Sequence, residues 1–241
     1  MDYQNKSQQP PRYYGGDFTG QVVNQVSAVM RKVYVRMFIG LLISAFCALG
    51  VASSPAAITL IYGNPLVYWG MFIAMIVMAF VIPARLMKMS STTCLLLFCL
   101  FAALMGASLG SIFLVYDIGS ITYTFFITAG VFGAMSLFGY FTKSDLSKLG
   151  TYCYMALFGL IIASVVNIFM KSDSFEWIIS IVGVLLFTGL TAWDTQYVKK
   201  MAQSNLAPEL TDKLATMGAL NLYLDFINLF LYLLRIFGNR N

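Results

Sequence analysis

Residues 215–237 read ATMGALNLYLDFINLFLYLLRIF, an apolar run with one carboxylate near its middle and one arginine near its end. A helix needs about 20 predominantly apolar residues to cross a hydrocarbon core about 30 Å thick, so this run is long enough to span a bilayer. Gly218, Asn221, Asp225, Asn228, Tyr232 and Arg235 recur at spacings of three and four. They therefore stack along one face of such a helix. A carboxylate at bilayer depth costs roughly 3 kcal/mol on insertion scales. A face that carries it turns from lipid towards the middle of a bundle or a wet cavity. Such a helix needs neighbours.

The rest of the chain supplies them. Six further apolar runs lie at about 33–51, 66–84, 93–115, 121–141, 150–170 and 176–193. They are separated by SSPAA and YGNP, ARLMKMSS, YDIGS, TKSDLSK, KSDSFE and QYVKKMAQSNLAPELTDK, all rich in turn-forming or charged residues. The runs are nearly continuous rather than alternating, and too long for the strands of a membrane barrel. The composition agrees: 59% of the 241 residues are hydrophobic and 10% charged, against about 25% charged in water-soluble domains. The sequence predicts an all-α membrane protein of seven transmembrane helices. A short surface helix around Pro208–Leu214 is a further expectation, and a re-entrant last segment an alternative to a full crossing.

Residues 1–30, with QQPPRYYGGD, read as a flexible cytoplasmic tail, and 31–241 as the membrane domain. The small residues of ALGVASS invite a reading as a signal-peptidase site. More than 30 mostly polar residues precede the first apolar run, however, far beyond a usual leader, so that run is expected to stay in the protein.

Orientation follows from the basic residues. With the N-terminus inside, Lys6, Arg12, Arg31, Lys32, Arg36, Arg85, Lys88, Lys143, Lys148, Lys199, Lys200 and Lys213 fall on the inner side, and only Lys171, Arg235 and Arg240 on the outer. The excess marks the inner side as cytoplasmic. The net charge of +5 is accounted for in this way, with no nucleic-acid partner needed. The chain has no histidine, the usual general base near neutral pH and the commonest metal ligand. Cys47, Cys94, Cys99 and Cys153 lie in apolar stretches, form no CxxC pair and read as inert buried thiols. No nucleotide loop, Ser/His pairing, HExxH or retinal-binding lysine in the last span is present. The expectation is no enzyme and no cofactor.

Asp194, in LTAWDTQ, stands where the sixth span leaves the membrane, among Thr188, Thr191, Thr195 and Gln196. Arg85 ends the second span on the same side. Each also reads as an ordinary interfacial residue, just as Asp225 also reads as interhelical hydrogen-bond glue. Gly106 and Gly110, and Gly130, Gly133 and Gly139, read as helix-contact positions. Asp117, Asp173 and Glu176 face outside, where they read as solvated carboxylates or as a weakly acidic mouth that concentrates cations.

The run LYLDFINLFLYLLRIFG, the segment AWDTQ and GVFGAMSLFGYFTKSDLSKLG together resemble the Bax inhibitor-1 family, also called transmembrane Bax inhibitor motif proteins. The resemblance covers about Val33 to Gly238. It implies a seven-helix fold with the last helix central and a pH-sensitive calcium leak across a bacterial inner membrane. It carries the family's paired aspartates onto Asp194 and Asp225 as pH sensor, and a counter-ion latch onto Arg85. The last match is looser, because VIPAR has a proline where some relatives have further basic residues. The carboxylate that some relatives have inside the second span is missing here.

Two carboxylates ~4 Å apart repel by about 4 kcal/mol at an effective dielectric of 20, and such a pair holds one shared proton near neutral pH. Calcium takes oxygen ligands, which Asp194 and Asp225, with Asn221, Asn228 and Tyr232 along the same path, supply for transient contact. The expected partners are thus the lipid bilayer and calcium ions. The competing reading is a non-conducting regulator of a membrane protease or of a cell-death or stress partner. A proton-coupled transporter is a third, with no organic-substrate pocket legible in the spans.

Overall fold

The computed structural model describes residues 15–204 and 207–240, with side chains from Val22 onwards. Among these residues the chain is helical throughout, with no strand and a single antiparallel bridge between Tyr116 and Arg240. The helices are α1 (Gly15–Ala52), α2 (Pro55–Tyr62), α3 (Pro65–Arg85), α4 (Ser91–Leu109), α5 (Ile112–Val115), α6 (Ile118–Phe141), α7 (Ser147–Met170), α8 (Asp173–Gln203) and α9 (Pro208–Phe237). Seven segments are long and apolar enough to cross a membrane: α1 from Val22, α3, α4 with α5, α6, α7, α8 and α9. The expected seven-span architecture is what the chain adopts.

The breaks between spans are built from helix caps. Side chains of Ser54, Asn64, Ser90, Asp117 and Ser172 accept hydrogen bonds from the first-turn N–H groups of α2, α3, α4, α6 and α8. Pro55 and Pro65 start α2 and α3, where a missing N–H costs nothing. Three boundaries differ from the sequence reading. The SSPAA–YGNP break holds the extra helix α2. Gly15–Met30, assigned to the tail on composition, belong to α1, while residues 1–14 of that tail lie outside the described residues. The expected short helix at Pro208–Leu214 is the first part of α9, which runs unbroken to Phe237. At about 1.5 Å per residue it has the length for a full crossing rather than a re-entrant turn.

α9 is the centre. In its most apolar stretch 67% of residues are buried, against 44% for α8 and 11–28% for the other five. It packs against α8, α1, α6 and α4. α3 and α7 are peripheral, resting on α4 and α8 respectively. Two glycines set the closest approaches: a Cβ at Gly106 would collide with the Ser44 backbone of α1, and one at Gly139 with the Ala192 carbonyl of α8. Gly110 abuts Val51, whereas nothing stands within 4 Å of a Cβ at Gly130 or Gly133. The contact role read for those last two is not realised.

Polar contacts tie the two ends of the bundle. At one end Arg36 of α1 donates to the Asp212 carboxylate (2.7 Å), the Asp212 carbonyl (2.7 Å) and the Thr216 hydroxyl (2.8 Å) on α9. Lys32 adds a 3.2 Å pair to Asp212, and Lys200 pairs with Asp145. At the other end Arg240 reaches Glu176 at 3.2 Å, and the Ser120 hydroxyl accepts from the Asn239 N–H.

Candidate functional site

α8 and α9 lie side by side, and each presents one aspartate to the other. Asp194 is 2% exposed and Asp225 4%, and their carboxyl groups meet within hydrogen-bonding reach. The amide of Asn221, one turn before Asp225, donates to Asp194 Oδ1 at 3.2 Å. Asp225 Oδ2 is buried without a hydrogen-bond partner. A buried carboxylate oxygen that receives no donor is costly unless a proton, such as one shared with Asp194, or a cation satisfies it. Among the described residues no lysine or arginine pairs with either aspartate.

The pair borders a cavity of about 610 Å³. Asn221, Asn228, Tyr232 and Arg235 line it along α9, Ser164 and Tyr154 along α7, and Ile76 and Ala79 along α3. The stripe read from the sequence is therefore the polar wall of this cavity, with Gly218 beyond it. Asn228 donates back to the Leu224 carbonyl at 2.8 Å. Tyr232 stacks on Phe187, ring centroids 5.9 Å apart, in the space left by Gly183. A second cavity of about 250 Å³ shares Ser164, Ile168 and Arg235 with the first and continues to Glu176. In the opposite direction Asn221 borders a void of only about 20 Å³, among Tyr197, Val198, Met201 and Met217, room for about one water. The cavity continues towards Glu176 and narrows to this small void at Asn221.

Arg85 stands apart. It is exposed at the end of α3, and among the described residues it makes no ion pair with either aspartate. α3 packs mainly on α4, although its Ile76 and Ala79 line the same cavity as the pair. Other contacts tie the Asn221 end together. The buried Gln196 side chain accepts from the Leu146 N–H (2.9 Å) and donates to the Ser144 carbonyl (2.8 Å), pinning the α6–α7 turn to α8. Arg36 clasps the start of α9, as described above. Sequence reasoning took Arg36 for a positive-inside anchor. The available signal was its spacing of four from Lys32, which puts both on one helix face.

This geometry defines a class: a seven-helix integral membrane protein with a buried carboxyl pair at the base of a polar-lined cavity. Residues 26–241 match the family described as "Inhibitor of apoptosis-promoting Bax1", and the chain belongs to this Bax inhibitor-1 family. It is 47% identical over 213 residues to the inner membrane protein YbhL of Escherichia coli K12, covering 88% of this chain and 91% of that one. An uncharacterized protein of Borreliella burgdorferi is 45% identical over 212 residues, covering 88% and 91%. The uncharacterized membrane protein SpyM3_0260 of Streptococcus pyogenes is 35% identical over 212 residues, covering 87% and 92%.

Proposed function

We propose that the chain is a pH-sensitive calcium leak pathway of a bacterial inner membrane, with its N-terminus cytoplasmic and the Asp194–Asp225 pair as proton sensor. One observation carries the reading: two carboxyl groups in contact at the shut end of a polar-lined cavity, one of their oxygens without a partner. Like charges at contact cannot both be ionised, so the pair shares one proton near neutral pH. Calcium is the cargo. Carboxylate, amide and phenol oxygens along α9 suit it as a hard cation, and proton and calcium compete for the same oxygens. Arg85 enters only as a latch in a state other than this one. The inner-membrane assignment draws on the name of the Escherichia coli relative, and the orientation on the basic residues of one side.

The test is calcium, sodium and potassium flux into liposomes containing only this protein, at several pH values. Asp225→Asn keeps the shape and the hydrogen-bonding capacity but not the titration. It is expected to flatten the pH profile without lowering the thermal midpoint. A variant that titrates like the wild type would leave Asp225 as interhelical glue. The family description and the closed Asn221 end favour the second reading, a non-conducting regulator of a membrane-protein partner. That reading is met if no ion passes at any pH.

A further inference from the structure

We infer that the gap between α3 and α7 binds an anionic phospholipid of the leaflet beside the α9 C-terminus, with the phosphate at Arg235 and an acyl chain in the cavity. In this shut state the acyl chain fills space that a cation would need on opening, and the inference does not depend on ion conduction. It begins from the open side of the cavity. α3 rests on α4 and α7 on α8, and the wall residues between them are apolar and exposed: Ile76 44%, Ile161 52%, Val165 48% and Ile168 68%. In a bilayer this opening faces acyl chains. A gap of about 610 Å³, polar along α9 and mostly apolar along α3 and α7, left empty there would forfeit the dispersion contacts of its apolar walls, and a lipid tail restores them.

The polar end of the gap selects the headgroup. Arg235 lines the cavity in the last turn of α9 with its side chain 43% exposed. Its guanidinium lies 5.5 Å from the Tyr232 ring centroid, which orients the plane without using its N–H donors. Among the described residues its one carboxylate neighbour is Glu176, 4.0 Å from Nε, and Arg240 holds the same carboxylate at 3.2 Å. Within this cluster two guanidinium groups against one carboxylate leave one positive charge and an unused donor fork, and that fork matches phosphate bidentately. A zwitterionic headgroup would bring a second cation beside Arg240; an anionic one would not. Arg235 lies ten residues past Asp225, about 15 Å along the helix axis, so a chain anchored there runs down towards the aspartate pair.

The experiment uses the purified full chain in phosphatidylcholine nanodiscs, doped with spin-labelled phosphatidylglycerol or with phosphatidylcholine of the same chains. The immobilised fraction is read by electron paramagnetic resonance. Wild type is expected to immobilise the phosphatidylglycerol several-fold more. Arg235→Gln is expected to bring it down to the phosphatidylcholine level, and Glu176→Gln, which frees both guanidinium groups, to raise it. Ala79→Trp fills the gap without touching the charge, and is expected to release the chain. Equal immobilisation of the two lipids by wild type, or no response to Ala79→Trp, overturns the site and leaves Arg235 as an interfacial anchor. If Arg235→Gln does not fold, Glu176→Gln decides alone, since an unchanged phosphatidylglycerol fraction in that variant also overturns it.

Discussion

Ser44 has one hydroxyl proton and three oxygens around it: the Gly40 carbonyl at 3.0 Å, the Ala102 carbonyl at 2.7 Å and the Tyr223 hydroxyl at 2.6 Å. If its proton goes to Ala102, Tyr223 must donate to Ser44, and one hydroxyl joins α1, α4 and α9. Tyr223 is 0% exposed and meets Phe98 and Phe101 edge-on, so no water replaces a lost partner. Ser44→Ala is therefore expected to strand the phenol at about 1–3 kcal/mol, and Tyr223→Phe to cost about 1 kcal/mol or less. The thermal midpoints should differ in that order, by about 2–4 °C per kcal/mol; the reverse order would mean that the phenol is not the dependent donor. Asp145 offers a pH handle outside the spans. Hydrogen bonds from Lys200 and then Ser147 hold its carboxyl down to about 2, from an ordinary 3.8. A depressed carboxylate contributes stability above its unfolded value and loses it as the pH falls through the folded one. The midpoint gap between wild type and Asp145→Asn should thus be present above pH 3.8 and close towards about 2. It should be small, because the pair is exposed. A gap that persists at acid pH would show that the carboxylate charge is not its source.

At the scale of elements, α6 shows how two glycines of one helix differ. Gly139 faces the Ala192 carbonyl with no room for a methyl group, while Gly130 faces open space. Gly139→Ala is expected to force α6 from α8 at about 1–3 kcal/mol, and Gly130→Ala to stabilise by about 0.5–1 kcal/mol through helix propensity. Thermal unfolding of the two variants checks both signs. The spans were legible in the sequence because an apolar run of the right length has few other uses, and the caps Asn64, Ser90, Asp117 and Ser172 fall in stretches that read as breaks. α2 was not, because Pro55 was read as a break although a serine followed by proline also starts helices. The polar extension of α1 and the continuity of Pro208–Leu214 with the rest of α9 were missed for a related reason: hydropathy ends where the membrane ends, whereas the backbone ladder does not. Asp225 announced itself as a carboxylate in an apolar run. Its contact with Asp194 is a matter of how α8 meets α9, which no spacing within either helix encodes, and only the family resemblance paired them. The partners of Gln196 and Arg36 were not legible because they lie 50 and 176 residues away in the chain.

For the molecule as a whole, the polar clusters alternate between the two ends as a seven-crossing path requires. Lys32, Arg36, Lys200, Asp145 and Asp212 gather at one end, and Glu176, Arg240, Asn239 and Ser120 at the other. After replacement of the four native cysteines, a cysteine placed in the 172–174 turn should react with an impermeant thiol reagent from outside, and one at Ser204 should not. Opposite labelling would invert the molecule and with it the side from which the cavity opens. The central position of α9 has a further consequence, for the order of synthesis. Of the seven spans it is the last to leave the ribosome, yet four of the others pack against it. The earlier spans therefore enter the membrane around a middle that does not yet exist. With a carboxylate in its centre, α9 is also poorly suited to enter lipid unaided, so the groove left by its predecessors is its proper solvent. A chain truncated between Gln203 and Pro208 would leave a ring with a lipid-filled hole, and that half-built form is the one a quality-control protease should meet.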